Sequence, residues 1–456
     1  MNIAVTDPHA ALIRKYGGGA PRYTSYPTAV QFTGDVNAQV HSGWLSEIDP
    51  ARPVSLYAHL PFCPRLCWYC GCNTRAVRHQ STVTDYVELL IKEIATARGH
   101  LPAMLRAHAL HLGGGTPNMT SPSDLQMMFE AFREAFHIDA SARISAEMDP
   151  VSLTESWVKA ATAEGLNRAS LGVQDLDPKV QAAVNRLEGF DVLQRAFGWL
   201  RDNDVDSINF DLMYGLPLQT TAGVAKTLET VLTLRPDRIA LFGYAHVPWM
   251  KAHQKLINEG DLPGPEERLA QSEMAARILV DHGYVPIGMD HFALPEDSLA
   301  RAATHDGLRR NFQGYTDDAA ASLIGFGASA ISRLPGGYAQ NLTGEVAWRA
   351  AVRAGRLPTA RGVPVTAEDR LRGAVIEQLM CAFRADVGAI RARVDGEGVD
   401  LSAAFDTLRE LEADGLVALE GEVVALTEKG RPFLRAACLA FDQYFDASAG
   451  RHSKAI

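Results

Sequence analysis

The stretch "VSLYAHLPFCPRLCWYCGC", residues 54–72, decides the fold because it joins a short apolar segment to a loop with four of the chain's six cysteines. Its apolar part, residues 54–62, is the first of six similar segments. The other five are "ALHLGGGTP" (109–117), "RISAEMDP" (143–150), "RASLGVQD" (168–175), "SINFDLMYGLP" (207–217) and "RIALFGYAHVP" (238–248). Short apolar segments that end in Gly, Pro or polar clusters predict β-strands.

Helical patterns separate these predicted strands. "VTDYVELLIKEIATAR" (83–98) and "SDLQMMFEAFREAF" (123–136) place apolar residues three and four positions apart. Ser121 and Asp124 stand where the second helix would begin and predict an N-terminal cap. The alternation of strand and helix predicts an α/β fold, with a parallel sheet closed fully or partly into a barrel.

Polar side chains gather where the predicted strands finish. They are Glu147 and Asp149 on the third segment, Gln174 and Asp175 on the fourth, Asp211 on the fifth, and Tyr244 and His246 on the sixth. In parallel α/β barrels, loops at this end of the strands assemble the active site. A single polar residue there is often only a solvated strand end, but the recurrence on successive strands predicts one shared cavity.

Composition narrows the classes of function. The net charge of -10 disfavours a nucleic-acid surface, and no apolar run is long enough to cross a bilayer. The opening "MNIAVTDPHAALIRKYGGG" lacks the basic start and apolar core of a secretory signal, so we expect a cytoplasmic protein with reduced thiols. Cys381 and Cys438 lie in apolar helical runs, which predict buried small hydrophobic side chains.

The other four cysteines predict a metal or redox site. Cys63, Cys67 and Cys70 have the spacing C-x3-C-x2-C, and Cys72 adds a further thiol. Three thiolates can hold three irons of a cubane iron-sulfur cluster and leave the fourth iron open to a substrate or cosubstrate. A structural zinc ion bound by all four cysteines is the alternative, although such sites usually combine two separated short-spaced pairs.

The cysteine loop, with Tyr69 before its last ligand, resembles the signature of the radical S-adenosylmethionine (SAM) enzymes. More narrowly, the chain resembles the oxygen-independent coproporphyrinogen III oxidase (dehydrogenase) family from about residue 20 onward. The matching segments are "PRYTSYPTA" (21–29), "YAHLPFCPRLCWYCGCN" (57–73), "HLGGGTPN" (111–118), "AEMDP" (146–150), "GVQD" (172–175), "NFDLMYGLP" (209–217), "MDHFA" (289–293) and "RRNFQGYT" (309–316). The alternative function is that of a haem-chaperone branch of the same superfamily. That branch typically lacks "CGCN" and "PRYTSYPTA", and both are present here, so the sequence favours the catalytic branch.

The resemblance implies both fold and reaction. The implied fold is a radical SAM partial (β/α)6 barrel with added strands over residues 51–362, a mostly helical C-terminal domain over 363–456, and an N-terminal extension over 1–50 that serves as a lid. The implied reaction decarboxylates two propionates of coproporphyrinogen III oxidatively to vinyl groups and gives protoporphyrinogen IX without oxygen. A reduced [4Fe-4S] cluster would cleave SAM to a 5′-deoxyadenosyl radical, because abstracting hydrogen from a propionate carbon needs a cofactor.

The resemblance also assigns roles to individual residues. Cys63, Cys67 and Cys70 match the cluster ligands, and Cys72 matches a cysteine that is not a ligand. The residues that match SAM-binding positions are Tyr57, Tyr69, Gly114, Gly115, Thr116, Glu147 and Ile331. The residues that match positions for a second SAM molecule are Gln174, Arg186, Asp211 and Ala245. One reloading site would also serve two cleavages, and Arg186 has a rival interpretation as an ordinary exposed helix residue.

Two further groups are predicted to meet ligands. Gly113, Gly114 and Gly115 have no Cβ and would let the backbone approach SAM closely. The implied substrate carries four carboxylates, and arginine suits them because its planar guanidinium makes two-point contacts. The candidates for substrate binding are Arg22, Arg309, Arg310 and Gln313, with solvated surface arginines as the alternative. We also expect a monomer that binds a reductant such as flavodoxin or ferredoxin, but no nucleic acid.

The sequence changes character from about Pro364. Residues 368–383, 401–415 and 431–445 predict amphipathic helices, and residues 416–430 predict a hairpin, in an order similar to a winged helix. Nucleic-acid binding is the alternative for such a module. Glu420, Glu422 and Glu428 stand where phosphate contacts would need Lys or Arg, so we expect a cap over the barrel instead.

Overall fold

A twelve-stranded sheet organises the structure, a computed structural model that describes residues 8–394 and 396–446, with the backbone alone for residues 8–10. The predicted extension and C-terminal domain also include residues 1–7, 395 and 447–456, which lie outside this description. The N-terminal leader, residues 8–50, contains helices α1 (Pro8–Tyr16) and α2 (Ala38–Ser46) and a 3₁₀ turn, Ala29–Gln31.

The elements that follow alternate strand and helix. In chain order they are β1 (Val54–Leu60), β2 (Phe62–Cys63), β3 (Arg75–Ala76), α3 (Gln80–Arg98), β4 (Arg106–Gly114), α4 (Pro122–Ala135), β5 (His137–Met148), α5 (Glu155–Ala163), β6 (Arg168–Gln174), α6 (Pro178–Ala183), α7 (Phe190–Asp202), β7 (Ser207–Tyr214), α8 (Thr221–Leu232), β8 (Arg238–Gly243) and α9 (Pro265–Asp281). Three 3₁₀ turns, Pro117–Met119, Ala252–Leu256 and Glu259–Asp261, lie in the connections.

Shorter strands and the C-terminal elements complete the chain. They are β9 (Val285–Ile287), β10 (His291–Ala293), α10 (Ser298–Ala303), β11 (Arg309–Asn311), β12 (Gly314–Thr316), β13 (Leu323–Phe326), β14 (Ile331–Leu334), β15 (Gly337–Asn341), α11 (Glu345–Arg353), β16 (Thr359–Pro364), α12 (Ala367–Ala382), β17 (Arg384–Asp386), α13 (Val387–Arg393), α14 (Ser402–Ala413), β18 (Val417–Glu420), β19 (Val423–Leu426), the 3₁₀ turn Arg431–Phe433 and α15 (Leu434–Leu439).

The sheet confirms the predicted partial barrel. Strands β1, β4, β5, β6, β7 and β8 are neighbours in that order and run parallel. The added strand β13 pairs parallel with β1, and β14 to β16 extend that side antiparallel. On the other side, β10 and β9 follow β8 antiparallel. The sheet therefore keeps two edges, β16 and β9, and the barrel stays open between them.

Local sequence signals explain where the elements begin and how they pack. Helix α4 starts with the predicted cap, because the Ser121 hydroxyl accepts from the Asp124 N–H while the Asp124 carboxylate accepts from the Ser121 N–H. Apolar side chains of the parallel strands and their helices form one large core that includes Leu56, Phe132 and Phe210. None of the described helices is long and apolar enough to span a membrane.

A second core forms in the C-terminal part of the chain. Leu371, Leu408 and Phe441 pack there, and Tyr23 and Tyr26 of the leader join them. Cys438 is fully buried, as predicted, and Cys381 is partly buried against a small cluster around Tyr315. The leader therefore binds the C-terminal part as well as the barrel, since Leu45 of α2 lies in the large core.

Two details of the C-terminal prediction are wrong. The predicted helix over 431–445 is only a 3₁₀ turn followed by the short helix α15, Leu434–Leu439. Strand β17 was not predicted, and it pairs with β19 to make the hairpin a three-stranded sheet. Strand β17 follows directly on α12, which ends at Phe383 in a left-handed conformation with φ of 56°. A phenylalanine gives no sequence signal for such an end.

Candidate active site

The cysteine loop follows β1 and lies at the carboxyl end of the parallel strands. The Trp68 N–H donates to the Val184 carbonyl at 2.9 Å, and the Asn185 amide donates to the Leu66 carbonyl at 3.0 Å. The chain after α6 therefore fixes the middle of the loop from one side.

A second segment, at the start of the 3₁₀ turn Ala252–Leu256, holds the other side of the loop. Lys251 Nζ donates to the Cys72 carbonyl at 2.9 Å, and His253 Nε2 lies 2.7 Å from the Cys70 carbonyl. The buried Gln254 amide donates to the Tyr69 carbonyl at 2.9 Å. Sequence reasoning missed these three residues, because they lie about 180 positions from the loop they hold.

The three predicted ligands differ in their surroundings, and all six cysteines of the chain are free thiols. Cys63 Sγ lies 3.1 Å from the Thr74 hydroxyl and accepts from the Thr116 hydroxyl at 3.4 Å. Cys67 is buried and accepts from Arg186 Nη1 at 3.6 Å. A hydrogen bond from the Cys72 side chain, and another from its N–H, lower the pKa of Cys70 to about 7 against the effect of burial. Donors therefore already surround these sulfurs, as a negatively charged thiolate requires.

The donors of the cysteine loop are thiols, a ligand type that both an iron-sulfur cluster and a zinc ion use. A zinc ion needs four donors gathered at about 2.3 Å around one point. Within residues 8–394 and 396–446, no three His, Cys, Asp or Glu side chains are placed to hold one metal ion. A cubane cluster spreads its thiolates over separate irons, so it does not need sulfurs packed around one centre. Cys63, Cys67 and Cys70 supply three thiolates, the number that a cluster with one open iron requires.

The glycine turn after β4 packs against the start of the cysteine loop. The Gly115 N–H donates to the Leu60 carbonyl at 2.8 Å, and the Thr116 N–H donates to the Phe62 carbonyl at 2.7 Å. A Cβ on Gly114, whose φ is +110°, would lie 2.6 Å from the His59 ring, and one on Gly115 would lie 2.5 Å from the Phe62 carbonyl oxygen. The glycines thus let two protein segments approach each other closely, and their contact with SAM stays a prediction.

Glu147 is joined to the glycine turn. Its Oε2 accepts from the Gly114 N–H at 3.0 Å, and His111 Nε2 lies 3.4 Å from its Oε1. Burial raises the pKa of Glu147, but the hydrogen bond and charge of His111, together with the Gly114 N–H, hold the pKa below its ordinary value. The side chain is 38% exposed, toward an interior chamber of about 210 Å³ that Asp211 and Gln313 also line. Glu147 is therefore an ionised acceptor that a ligand can reach.

Tyr57 and Ile331 lie on the other side of the same turn. The Tyr57 ring stacks on His111 with centroids 5.8 Å apart, and its hydroxyl lies 2.9 Å from His59 Nδ1. Tyr57 is opposite Gly325 in the pairing of β1 with β13. The Ile331 carbonyl lies beside Gly325, so Ile331 is two strands away from Tyr57 at the same level.

The second predicted SAM group is brought together only in part. A Cβ on Gly172 would lie 3.0 Å from Gln174 Nε2 and 3.2 Å from Arg186 Nη2, so these two side chains are neighbours. Asp211 accepts from the Ser170 hydroxyl at 2.7 Å, and burial raises its pKa to about 6. Ala245 lies further round the sheet, where its carbonyl accepts from Gln254 at 3.3 Å.

The exposed-helix interpretation of Arg186 is wrong. The residue is only 8% exposed and lies in the turn after α6. Its guanidinium donates to Asp149 at 3.2 Å and to the Gly172 carbonyl, besides the contact with Cys67. Arg186 therefore links the cysteine loop to the ends of two strands.

Asp175 and His291 also have partners within the protein. Asp175 is buried below the strand ends, where it accepts from Gln219 and from the Thr227 hydroxyl at 3.2 Å, so it does not share the cavity predicted for it. His291 Nδ1 lies 2.7 Å from Asp290, and its ring packs edge-on against Tyr315.

The four predicted substrate residues separate into different places. Arg22 donates to the Gly243 carbonyl at 2.8 Å, and Arg310 donates to the Arg22 carbonyl at 3.4 Å. Arg309 turns away and donates to the carbonyls of Asp306 and Leu308. Gln313 lies in the chamber with Glu147. A larger cavity of about 600 Å³ lies between the leader, the β11–β12 hairpin and α12.

Comparison with known proteins first defines the class. Residues 57–231 match the model of the radical SAM superfamily, and residues 365–433 match the HemN C-terminal domain. The solved structure titled as coproporphyrinogen III oxidase (HemN) from Escherichia coli, a radical SAM enzyme, superposes with a TM-score of 0.89 at 38% identity. The match covers 95% of this chain and 98% of that one.

Curated relatives then define the family. The oxygen-independent coproporphyrinogen III oxidase of Bradyrhizobium diazoefficiens is 44% identical over 96% of this chain and 97% of its own. The Escherichia coli protein of the same name is 39% identical over 98% of each chain. This chain belongs to the family of oxygen-independent coproporphyrinogen III oxidases. Membership makes it a radical SAM enzyme and implies a [4Fe-4S] cluster and SAM as cofactors.

Proposed function

We propose that this chain oxidatively decarboxylates two propionate groups of coproporphyrinogen III to vinyl groups, giving protoporphyrinogen IX without oxygen. The observation that carries the proposal is the junction of the cysteine loop with the glycine turn. Thr116, at the end of that turn, donates to Cys63 Sγ at 3.4 Å, and Gly114 of the same turn donates to Glu147 at 3.0 Å. These contacts support one site shared by the predicted cluster ligands and the residues matched to SAM binding, as the reaction requires.

The cysteines have the first role in this proposal. Cys63, Cys67 and Cys70 would hold the cluster, and Cys72 would act through its hydrogen bonds to Cys70. When bound, the cluster and SAM supply the one-electron chemistry that removes a hydrogen atom from a propionate. The protein's part is to fix the loop backbone, which it does with the Val184 carbonyl and with the side chains of Lys251 and Gln254.

The SAM contacts follow from the same geometry. Glu147 is ionised and exposed to the chamber, so it can accept hydrogen bonds from ribose hydroxyls without taking part in proton transfer. Tyr57, Tyr69, Gly114, Gly115, Thr116 and Ile331 would complete the binding site. Gln174 and Arg186 lie next to each other beside Cys67, which supports a second SAM molecule near the first. Asp211 borders the chamber, and the Ala245 carbonyl accepts from Gln254, the residue that also holds the cysteine loop, so each would add a contact to that molecule.

The leader has a role at the mouth of the barrel. Arg22 donates to Gly243 at the end of β8, and Tyr23 donates to Asp442 at 2.9 Å. A segment held between the barrel and the C-terminal part in this way can cover the cavity and exclude water from reactive intermediates. We further propose a cytoplasmic monomer that receives electrons from a protein such as flavodoxin or ferredoxin.

The test is anaerobic turnover. The reconstituted chain is incubated with coproporphyrinogen III, SAM and a chemical reductant, and the products are separated by chromatography. We expect protoporphyrinogen IX together with two molecules of 5′-deoxyadenosine for each one formed. A haem or porphyrin chaperone would bind the tetrapyrrole and release neither product, and that result would contradict the proposal.

A further inference from the structure

Three arginines from distant parts of the sequence meet at the carboxyl ends of β7 and β8. Arg22 of the leader donates to the Gly243 carbonyl at 2.8 Å. A Cβ on Gly243 would lie 3.4 Å from Arg268 Nη2, so Arg268 of α9 reaches the same residue. Arg310 of the hairpin donates to the Arg22 carbonyl at 3.4 Å and stacks on the Tyr315 ring at 4.5 Å. We call these three residues the arginine cluster.

The positive charge of the arginine cluster lacks a close partner. Among residues 8–394 and 396–446, no carboxylate oxygen lies within 4.0 Å of a guanidinium nitrogen of Arg22, Arg268 or Arg310. The Asp290 carboxylate faces the arginine cluster from further away, and His291 Nδ1 already lies 2.7 Å from that carboxylate. Burial lowers the pKa of Arg268; Tyr214 opposes this effect, and the charge of Arg22 adds to it.

Several donors of the arginine cluster have no acceptor. Arg310 is 9% exposed, and its Nε and Nη1 are buried without hydrogen-bond partners, as is Arg268 Nε. Leaving buried charged donors unpaired costs free energy, so an anion that accepts from them would bind favourably. Arg22 and Arg268 keep part of their surface exposed, so a ligand can reach the group.

The position of the arginine cluster indicates which anion it binds. Gly243 and Tyr214 are paired at the ends of β8 and β7, on the same rim of the sheet as the cysteine loop after β1. The segment after β8 also contacts the cysteine loop, because Gln254 donates to both the Ala245 and the Tyr69 carbonyls, so the arginines and the loop border the same mouth. A ring-shaped ligand with carboxylates on its periphery can reach both.

We propose that Arg22, Arg268 and Arg310 bind the carboxylate of a propionate that is not reacting, while another propionate lies at the cysteine loop. This inference rests on the proposed function and adds Arg268, which no motif singled out. Arg309 is not part of the arginine cluster: its Nη1 donates to two backbone carbonyls, and its side chain lines the larger cavity. Arg435 fixes the leader here by donating to the Ala20 carbonyl at 3.1 Å.

Binding of coproporphyrin III, the stable oxidised ring with the same four carboxylates, tests the inference. Reconstituted wild type, Arg268→Gln and Arg268→Lys are titrated by tryptophan fluorescence, with Arg195→Gln as the control because Arg195 is exposed on α7. We expect Arg268→Gln to weaken binding about tenfold, as loss of a charge-assisted hydrogen bond does, and Arg268→Lys to recover part of the loss. Arg195→Gln should bind like the wild type.

The tetramethyl ester of coproporphyrin III gives a second measurement that needs no variant. It has no carboxylates, so wild type should bind it more weakly than the acid, and Arg268→Gln should not weaken it further. Equal affinity of Arg268→Gln and wild type for the acid would overturn the inference, as would equal binding of acid and ester by the wild type.

Kinetics separates the inference from the proposed function. In Arg268→Gln the KM for coproporphyrinogen III should rise about tenfold while iron content and the KM for SAM stay unchanged. If the wild type is active and Arg268→Gln has an unchanged KM for coproporphyrinogen III, the inference about the arginine cluster is refuted, but the proposed function is not. Wild type that forms no protoporphyrinogen would refute the proposed function.

Discussion

In the described part of the chain, charged side chains are paired at one end of the six parallel strands, whereas those of the arginine cluster are unpaired at the other. At the amino end, Arg143 and Arg168 contact Asp317, and Arg238 contacts Asp297 at 2.7 Å. At the carboxyl end, the arginine cluster has no such partner among the described residues. Paired charges satisfy one another and need no ligand, whereas half-buried unpaired ones favour an anion. The paired charges therefore stabilise the fold, although Arg143, Arg168 and Arg238 also border the chamber that Glu147 lines, whereas the arginine cluster is available to bind an anion.

His108 and Asp318 extend the paired end. His108 Nε2 lies 2.7 Å from Asp318 Oδ1, and the other carboxylate oxygen accepts from the Ser55 hydroxyl. Burial raises the pKa of Asp318, but His108, Ser55 and the Ala320 N–H together lower it to about 2. These contacts fasten the loop before β13 to the first strand of the barrel.

Serine substitutions in the cysteine loop give the largest expected effect. Cys63→Ser, Cys67→Ser and Cys70→Ser should each abolish SAM cleavage, because each removes one of three thiolates that hold the cluster. Cys72→Ser should retain iron, and Cys381→Ser, which lies outside the cysteine loop, serves as the control for iron content. The measurement is iron per chain after anaerobic reconstitution, together with 5′-deoxyadenosine formed. Full iron and activity in Cys70→Ser would assign the site to other ligands.

Glu147→Gln should have the next largest effect. The amide keeps the shape but loses the ionised acceptor that faces the Gly114 N–H and the chamber, so the KM for SAM should rise by roughly ten- to a hundredfold. Iron content should not change. Glu134→Gln, the same substitution on the exposed face of α4, is the control. An unchanged KM for SAM would show that Glu147 only supports the turn.

Asp318→Asn tests the paired end and should change stability without changing kinetics. The folded pKa lies below the unfolded value, so Asp318 stabilises the fold above about pH 4, and this contribution disappears as the pH falls toward 2. The variant should lose about 2 kcal/mol of unfolding free energy at pH 7, and the difference from wild type should shrink in acid. Urea denaturation at several pH values measures it.

The control for Asp318→Asn is Asp206→Asn, an exposed aspartate before β7 whose loss should cost under about 0.5 kcal/mol. If Asp318→Asn instead raised the KM for either substrate and left stability intact, the distinction between the two ends would be mistaken.

Gln254→Ala should have the smallest effect. It removes the donor to the Tyr69 carbonyl and the acceptor of the Val247 N–H at 2.6 Å, while Lys251 and His253 still hold the loop. We expect kcat/KM for SAM to fall by about three- to tenfold, because the loop shifts but keeps its ligands. Gln126→Ala, on the exposed side of α4, is the control. Loss of iron from Gln254→Ala would mean that this residue is required for the loop itself.

The sequence predicted the elements that depend on local patterns. All six parallel strands and helices α3 and α4 occur where apolar periodicity placed them, and the cap of α4 uses the expected Ser121 and Asp124. Local signals suffice there because strand period, helix period and capping each involve neighbours in the chain. The short helix α15 and strand β17 were missed because tertiary packing, not local pattern, sets their limits.

The site was predictable in its motifs but not in its long-range contacts. The cysteine spacing and the glycine turn are contiguous, so their place at the strand ends could be inferred. Arg268, Lys251 and Gln254 carry no motif, and only the folded chain brings them to Gly243 and to the cysteine loop. Arg186 was ambiguous for the same reason, since its burial depends on Asp149 and on the loop.

Electron paramagnetic resonance tests the central claim most directly, which is that three cysteines hold a [4Fe-4S] cluster with one iron open to SAM. The reconstituted chain is reduced anaerobically and measured before and after SAM is added. We expect about four irons per chain and a cluster signal whose g values change with SAM, because SAM binds the iron that lacks a thiolate. Zinc in place of iron, or a cluster signal that SAM leaves unchanged, would contradict the account.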